Sequence, residues 1–202
     1  MYMKNVVIPT IVLTIIVVIF GFTYLKPNKN ISNTYPTPTQ IASEDLSDLL
    51  QGGSSYSDPD GVYSFLYPND YVIDSKDPLQ VRVYKNGPTQ KGQTEMYDGV
   101  IVNMGKVNLN GESLSEWVDS KINEAKADGV SEVVKAKAST TLNKYPGFSY
   151  TLRGLGIFET IVVQKDLNSD NAIVINTMVA DPTNIGFQEH VDATLSTLQI
   201  LK

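Results

Sequence analysis

The chain has no cysteine and a single histidine, His190. Without thiols there is no disulfide framework, no thiolate metal site and no cysteine nucleophile. The acceptor for a lipoprotein-type lipid anchor is missing as well. One histidine argues against a His-rich metal site and against a Ser-His-Asp arrangement. No basic run occurs: 16 Lys and Arg face 22 Asp and Glu, for a formal net charge of -6. The positive face that releases counterions from nucleic acid is therefore absent, and no nucleic acid partner is expected. No G-x-S-x-G, P-loop, H-E-x-x-H or G-x-G-x-x-G is present. The carboxylates are dispersed, and no spacing pairs two of them for acid–base work. These absences favour a non-enzymatic protein that needs no cofactor.

What the chain does contain is a membrane-length apolar run. Between Lys4 and Lys26 lie 21 uncharged residues, "NVVIPTIVLTIIVVIFGFTYL". About 20 apolar residues at 1.5 Å rise cover a hydrocarbon core ~30 Å thick, and in lipid a helix is the form that satisfies its own backbone. The run exceeds the h-region of a signal peptide, and "FGFTYLKP" offers no small-x-small cleavage site. Residues 5–25 are thus expected to be an uncleaved single-pass helix behind a short tail, residues 1–4. Lys4 on one side and Lys26 and Lys29 on the other make the charge count nearly a tie. The stretch "NISNTYPTPTQ" has the composition of an extracytoplasmic spacer, so the rest of the chain is expected outside the cell membrane. Residues 26–55, rich in Pro, Thr, Asn, Ser and Gly, read as a flexible tether. Within it, "SEDLSDLL" could form one or two helical turns capped by Ser43.

From residue 56 the pattern becomes that of a folded domain, residues 56–202. "GVYSFLYP" is a strand placing Tyr63, Phe65 and Tyr67 on one face, and Pro68-Asn69-Asp70 reads as the turn after it. "YVID", "LQVRVYK" and "MYDGVIVNMGKV" continue the series, with Val81 and Val83, then Val100, Val102 and Met104, in phase. "NGESLSEWVDSKINEAKADG" is a helix. Ser113 and Glu116 form a capping box, Leu114, Trp117, Val118, Ile122 and Ala125 make an apolar stripe, and Gly129 is a C′ residue. Trp117 is expected in the core. Four further strands follow, with turns expected at Tyr145-Pro146-Gly147, Gly154-Leu155-Gly156 and "DLNSDN". A terminal helix closes the chain, with Phe187, Val191, Leu195 and Leu198 on one side, Thr183 or Asn184 as cap, and His190 beside that face. Strands joined at hairpin length with two helices indicate α+β, an antiparallel sheet flanked by helices.

"YSDPDGVYSFLYPNDYVI" and "GFSYTLRGLGIFETIVVQKDLNSDNAIVINTMVADPTN" with the closing "LSTLQI" resemble the opening and ending of PsbP-like domains. The resemblance covers residues 56–202. Tyr71 stands where the family usually has tryptophan, and Thr197-Leu198 stands where it has Ser-Phe. It implies an α-β-α sandwich around an antiparallel sheet. It also implies, as one alternative, an extrinsic-type accessory subunit of photosystem II with calcium association. An uncharacterised envelope enzyme is another alternative.

Two sets of residues stand out as candidate sites. Asp166, Asn168 and Asp170 fall at positions 1, 3 and 5 of a calcium-loop pattern. Asn171 at position 6 still tolerates the left-handed geometry, but Thr177 at position 12 and a flanking strand in place of a helix exclude an EF-hand, leaving an oxygen-ligand cation site beside the plainer reading of a polar turn. On the "YSFLY" strand, Phe65 is expected in the core, while Tyr63 and Tyr67, with polar tips, are candidate contacts for a partner. The leading expectation is a membrane-anchored, extracytoplasmic binding or scaffold module for an envelope protein.

Overall fold

Period-two alternation builds the centre of the molecule. The computed structural model describes residues 48–92 and 95–202; the expected membrane segment, residues 5–25, and the tether up to residue 47 lie outside them. Among the described residues, no helix is long and apolar enough to cross a membrane. In chain order the elements begin with β1 (Ser54–Ser57), β2 (Tyr63–Tyr67), β3 (Val72–Asp74), β4 (Gln80–Asn86), β5 (Gly99–Asn108) and α1 (Leu114–Ala127). They continue with β6 (Glu132–Leu142), β7 (Tyr145–Arg153), β8 (Ile157–Gln164), β9 (Asn171–Ala180), α2 (Phe187–Ser196) and β10 (Gln199–Ile200). Seven strands form one sheet in the order β3-β4-β5-β9-β8-β7-β6, and three form a second in the order β1-β2-β10. All pairs are antiparallel. The domain is therefore α+β, as the hairpin-length connections require.

The large sheet has two unlike faces. On the first, Val81, Val83, Val100, Val102, Met104, Val163, Ile173 and Ile175 are buried in one cluster with Tyr63, Phe65, Tyr67, Phe187, Val191 and Leu195. The three-stranded sheet and α2 therefore cover this face together. The aromatic row of β2 is extended by Tyr56 of β1, whose ring lies 5.4 Å from Phe65 and 6.0 Å from Tyr63. On the second face, Leu114, Val118 and Ile122 of α1 bury Tyr150, Val162 and Ala172. Helices thus lie on both sides of the antiparallel sheet.

Local chemistry sets the helix ends. At α1 the Ser113–Glu116 capping box is complete, and Asp128 is the last cap before Gly129 at φ +69°, a left-handed conformation that glycine adopts without a Cβ clash. The expected caps of α2, Thr183 and Asn184, are not used. Gly186 is the N-cap and offers no side chain. Instead the Asp181 carboxylate accepts the backbone N–H groups of Ile185, Gly186 and Phe187 at 2.8, 2.8 and 3.2 Å. Burial alone would raise the Asp181 pKa, but these backbone donors hold it below the ordinary value.

Three expectations need correction. Trp117 is half-buried at the margin of its cluster, with Lys121 Nζ 5.5 Å from its ring centre; the stripe is right, but Trp117 lies on its flank and not at its centre. Tyr145, Pro146 and Gly147 lie inside β7, and the reversal occurs at Asn143-Lys144, with Asn143 at φ 57°. Pro146 is tolerated because pairing with β8 begins only at Gly147. A Cβ on Gly147 would stand 2.1 Å from Val162 O, so close strand approach requires this glycine. Folded structure is also present before residue 56: Leu50 is buried, Gly53 N–H donates to Leu50 O at 2.7 Å, and β1 starts at Ser54.

Burial separates two aromatic truncations. Phe65 is 2% exposed, so Phe65→Ala should cost ~3–5 kcal/mol. Trp117→Ala, at the rim, should cost roughly 1–2 kcal/mol. Urea melts of the two variants check the order, and equal losses would contradict the packing described.

Candidate functional site

The structure disperses the residues singled out in the sequence. Tyr63 and Tyr67 do not form an exposed face: they are 1% and 8% exposed and point at the large sheet. The Tyr63 hydroxyl donates to Met104 O at 3.2 Å, and burial pushes its pKa up. Alternation explains the correction, because the residues of β2 that face outward are Ser64 and Leu66. Asp166, Asn168 and Asp170 are all exposed in the β8–β9 turn. There the Asp166 carboxylate accepts the Asn168 N–H at 3.0 Å, its carbonyl accepts Ser169 N–H at 3.2 Å, and Asp170 O accepts Leu109 N–H at 2.7 Å. This is an Asx turn closing a hairpin. Among the described residues, no group of three His, Cys, Asp or Glu is placed to hold a metal ion.

Titratable groups cluster at places where loops must be held. Asp58 is 5% exposed, accepts the N–H groups of Asp60 and Val62 at 3.1 and 3.2 Å, and receives Lys106 Nζ at 3.2 Å. Lys106 also pairs with Asp60, which raises the lysine pKa and lowers that of the carboxyl. Asp98 is fully buried and accepts the N–H and hydroxyl of Thr89 at 2.7 and 2.6 Å. A Cβ on Gly87 would meet that carboxylate at 1.8 Å. His190 of α2 lies half-buried with Nδ1 2.8 Å from the Tyr71 hydroxyl, beside the Asp70–Lys85 ion pair. Burial holds the Tyr71 phenol protonated to well above its usual range, and the tautomer of the imidazole sets which of the two groups donates. Burial first, then Lys85, lowers the His190 pKa against the pull of Asp70, Glu189 and Asp181.

One surface is not consumed in this way. α1 lies against β6 and β7 and reaches Val162 of β8 and Ala172 of β9; among the described residues, no helix covers β4 or the Ile101 and Met178 ends of β5 and β9 on the second face. Register places a polar row across the sheet there: Arg82, Asn103, Asn176, Thr160 and Tyr150 are successive cross-strand partners. Arg82 Nε donates to Asn103 Oδ1 at 3.0 Å, and Thr160 Oγ1 to Asn176 Oδ1 at 2.8 Å. Beyond that row, Val72, Tyr84, Ile101 and Met178 form an apolar line from strand to strand, and Phe158 extends it on β8, in phase with Thr160. Val72 is 50% exposed, while Tyr84, Ile101 and Phe158 are half-buried. A second surface, the outer side of the three-stranded sheet, is a shallow groove bounded by Ser55, Ser57, Ser64, Leu66, Thr197 and Gln199. Sequence reading missed the half-open face because no single strand shows it. The signal is a run of cross-strand partners, legible once the register is known.

Comparison of the sequence with protein-family models and with curated proteins finds no match. Among solved structures, the chain is similar to cyanobacterial PsbP (CyanoP) from Synechocystis sp. PCC 6803, at 13% identity over 73% of this chain and 91% of that one, TM-score 0.43. It is similar to the Ran-binding protein Mog1p of Saccharomyces cerevisiae at 8% identity over 74% and 96%, TM-score 0.48. It is similar also to LpqN of Mycobacterium tuberculosis, described as involved in cell envelope biogenesis, at 10% identity over 74% and 86%, TM-score 0.46. It spans about half, 49%, of a Bacteroides thetaiotaomicron protein at 11% identity and TM-score 0.46.

The His190 environment makes stability depend on pH. Its folded pKa lies below the unfolded value near 6.5, so its contribution is fully present above pH ~6.5 and is lost as pH falls through the lowered folded value. Urea melts between pH 7.5 and 5 should show this loss, and His190→Gln should flatten it. Asp70 and Asp181, with lowered pKa values, act below about pH 4 and do not share that window. For the Asp166 loop, a cation present at a hundred times its dissociation constant would add ~2.7 kcal/mol. Calcium titration followed by thermal melting should leave the midpoint unchanged, and a calcium-dependent rise abolished by Asp166→Asn would restore the loop as a cation site.

Proposed function

We propose that this protein is a membrane-anchored, extracytoplasmic, non-enzymatic binding or scaffold module for an envelope protein. In this reading residues 5–25 are the single-pass anchor, the chain from residue 26 up to the folded region is the tether, and the α+β region is a PsbP-like α-β-α sandwich displayed outside the cell membrane. The observation that supports a binding role is the half-covered second face of the large sheet. An apolar line crossing several strands beside a polar row is the composition of a surface completed by another molecule. The clustered charges support the same reading from the other side. Asp58, Asp98 and Asp181 each hold a loop through backbone or hydroxyl donors, and a carboxylate spent on fixed donors is a poor general base.

Fractionation tests the anchor. The full chain should stay with membranes through alkaline carbonate extraction, and deletion of residues 1–25 should release it. External protease should cleave it in intact cells. Full release of the intact chain, or protection from protease until the cells are lysed, would contradict the proposed placement.

A further inference from the structure

We propose that Asn110 is a site of spontaneous covalent modification. With Gly111 it closes to a succinimide that water opens to aspartate or isoaspartate, and isoaspartate there loosens the entry to α1. Asn86-Gly87, the other Asn-Gly pair of the chain, is kept as the amide by the fold. The inference does not depend on the reading of the protein as a binding module.

The reaction balances with water as its co-reactant. The Gly111 nitrogen gives its proton to solvent hydroxide and bonds Asn110 Cγ. The Cγ–Nδ2 bond breaks, and Nδ2 takes a proton from water and leaves as ammonia. Water then adds to one of the two imide carbonyls. Breaking the bond from nitrogen to Cγ gives aspartate. Breaking the bond from nitrogen to the main-chain carbonyl carbon gives isoaspartate, with the chain rerouted through Cγ. Nothing is oxidised or reduced. Glycine favours the closure because it has no Cβ to block the approach and its backbone turns freely.

Local structure leaves Asn110 open to this chemistry. Residues 109–112 form a tight turn in which Asn110 and Gly111 have φ +53° and +83° and Glu112 N–H donates to Leu109 O at 3.0 Å. Two positive φ values in succession mark the I′ type. Its closing bond uses the outer residues, and among the described residues nothing accepts the Gly111 N–H. Both central residues are exposed, and apart from chain neighbours no atom lies within 4 Å of where a Cβ on Gly111 would stand.

Asn86-Gly87 has the same chemistry in the opposite setting. Gly87 is buried, and its N–H donates to Asp98 O at 2.9 Å. The Asp98 carboxylate, held by Thr89, fills the space beside Gly87, where a Cβ would stand 1.8 Å from it. To attack, the Gly87 nitrogen has to give up a buried hydrogen bond and then lose its proton beside a carboxylate, and both steps are unfavourable.

The product bears on α1 because both flanks of the turn are fixed. Leu109 is buried and its N–H donates to Asp170 O at 2.7 Å, while Leu114 is buried behind the complete Ser113–Glu116 capping box. The extra main-chain methylene of isoaspartate has to be taken up between them, at the expense of the Leu109–Glu112 bond. Aspartate keeps the chain length and adds an exposed charge.

Timed tryptic mapping of the full chain in detergent tests this. The protein is aged at mildly alkaline pH, folded and in urea, and digested. Residues 86–91 and 107–121 are separate tryptic peptides, so fragmentation locates the mass gain of an amide that has become an acid. In the folded chain Asn110 should convert at least ~10-fold faster than Asn86, and urea should bring the two rates together. Equal rates in the folded chain, faster conversion at Asn86, or conversion of Asn110 in urea alone would overturn the assignment. So would conversion within 107–121 that persists in Asn110→Gln, which would place it at Asn108. The aged chain carrying isoaspartate should melt below the fresh protein, and Asn110→Asp should melt with the fresh protein. A shared midpoint for all three would overturn the link between Asn110 and the entry to α1.

Discussion

The fold depends on a pairing between its two ends. β2 near the start of the described residues and β10 near their close are neighbours in one small sheet, with Tyr63 opposite Ile200 and Ser64 opposite Gln199. Leu201 N–H adds a bond to Val62 O at 2.8 Å, and Leu66 N–H donates to Thr197 Oγ1 at 2.9 Å where the pairing stops. The β6–β7 hairpin locks the same segment. Tyr145 OH accepts Ile200 N–H at 2.9 Å, and Asn143 Nδ2 donates to both Leu195 O and Leu198 O at 3.1 Å. Because β2 carries Tyr63, Phe65 and Tyr67 into the first face and α2 leads directly into β10, this closure seats everything that covers that face. Contacts so distant in sequence form only after a large loop-closure cost, so the first face should be gained or lost as a unit.

Much of this was legible from local pattern. Alternation marked Val81 and Val83, and then Val100, Val102 and Met104, as one buried face, and the capping box with Gly129 marked both ends of α1. Where the reading failed, the deciding contact was distant in sequence. "SSYS" has a single apolar side chain to declare it a strand, and only its partner β2 makes it one. Pro146-Gly147 has the composition of a turn, yet Gly147 answers to Val162 on the next strand. The cap of α2 comes from Asp181, outside the span in which an N-cap is sought. Tyr63 and Tyr67 were offered as partner contacts because strand parity alone does not say which face is covered.

The functional reading follows from the inequality of the two sheet faces. The first is closed by the chain itself, with aromatic rings filling it. The second is closed by α1 over β6, β7 and the Val162 and Ala172 ends of β8 and β9, and among the described residues the polar row from Arg82 to Tyr150 marks the limit of that cover. Buried polar atoms elsewhere are satisfied: among the described residues, no buried side-chain nitrogen or oxygen lacks a hydrogen-bond partner. Arg82 differs in being half-buried with bonding capacity left over, beside side chains that would gain from losing water.

Hydroxyl-radical footprinting of the full chain, once purified in detergent and once in its native membranes, tests the unequal faces most directly. The account predicts that Tyr84 and Phe158 react in the purified protein and are protected in native membranes, while Phe65 is protected in both. Tyr97, 44% exposed on the loop between β4 and β5, should react in both and serves as the reference. Equal reactivity of Tyr84 and Phe158 in the two preparations would contradict the claim that this face is completed by another molecule.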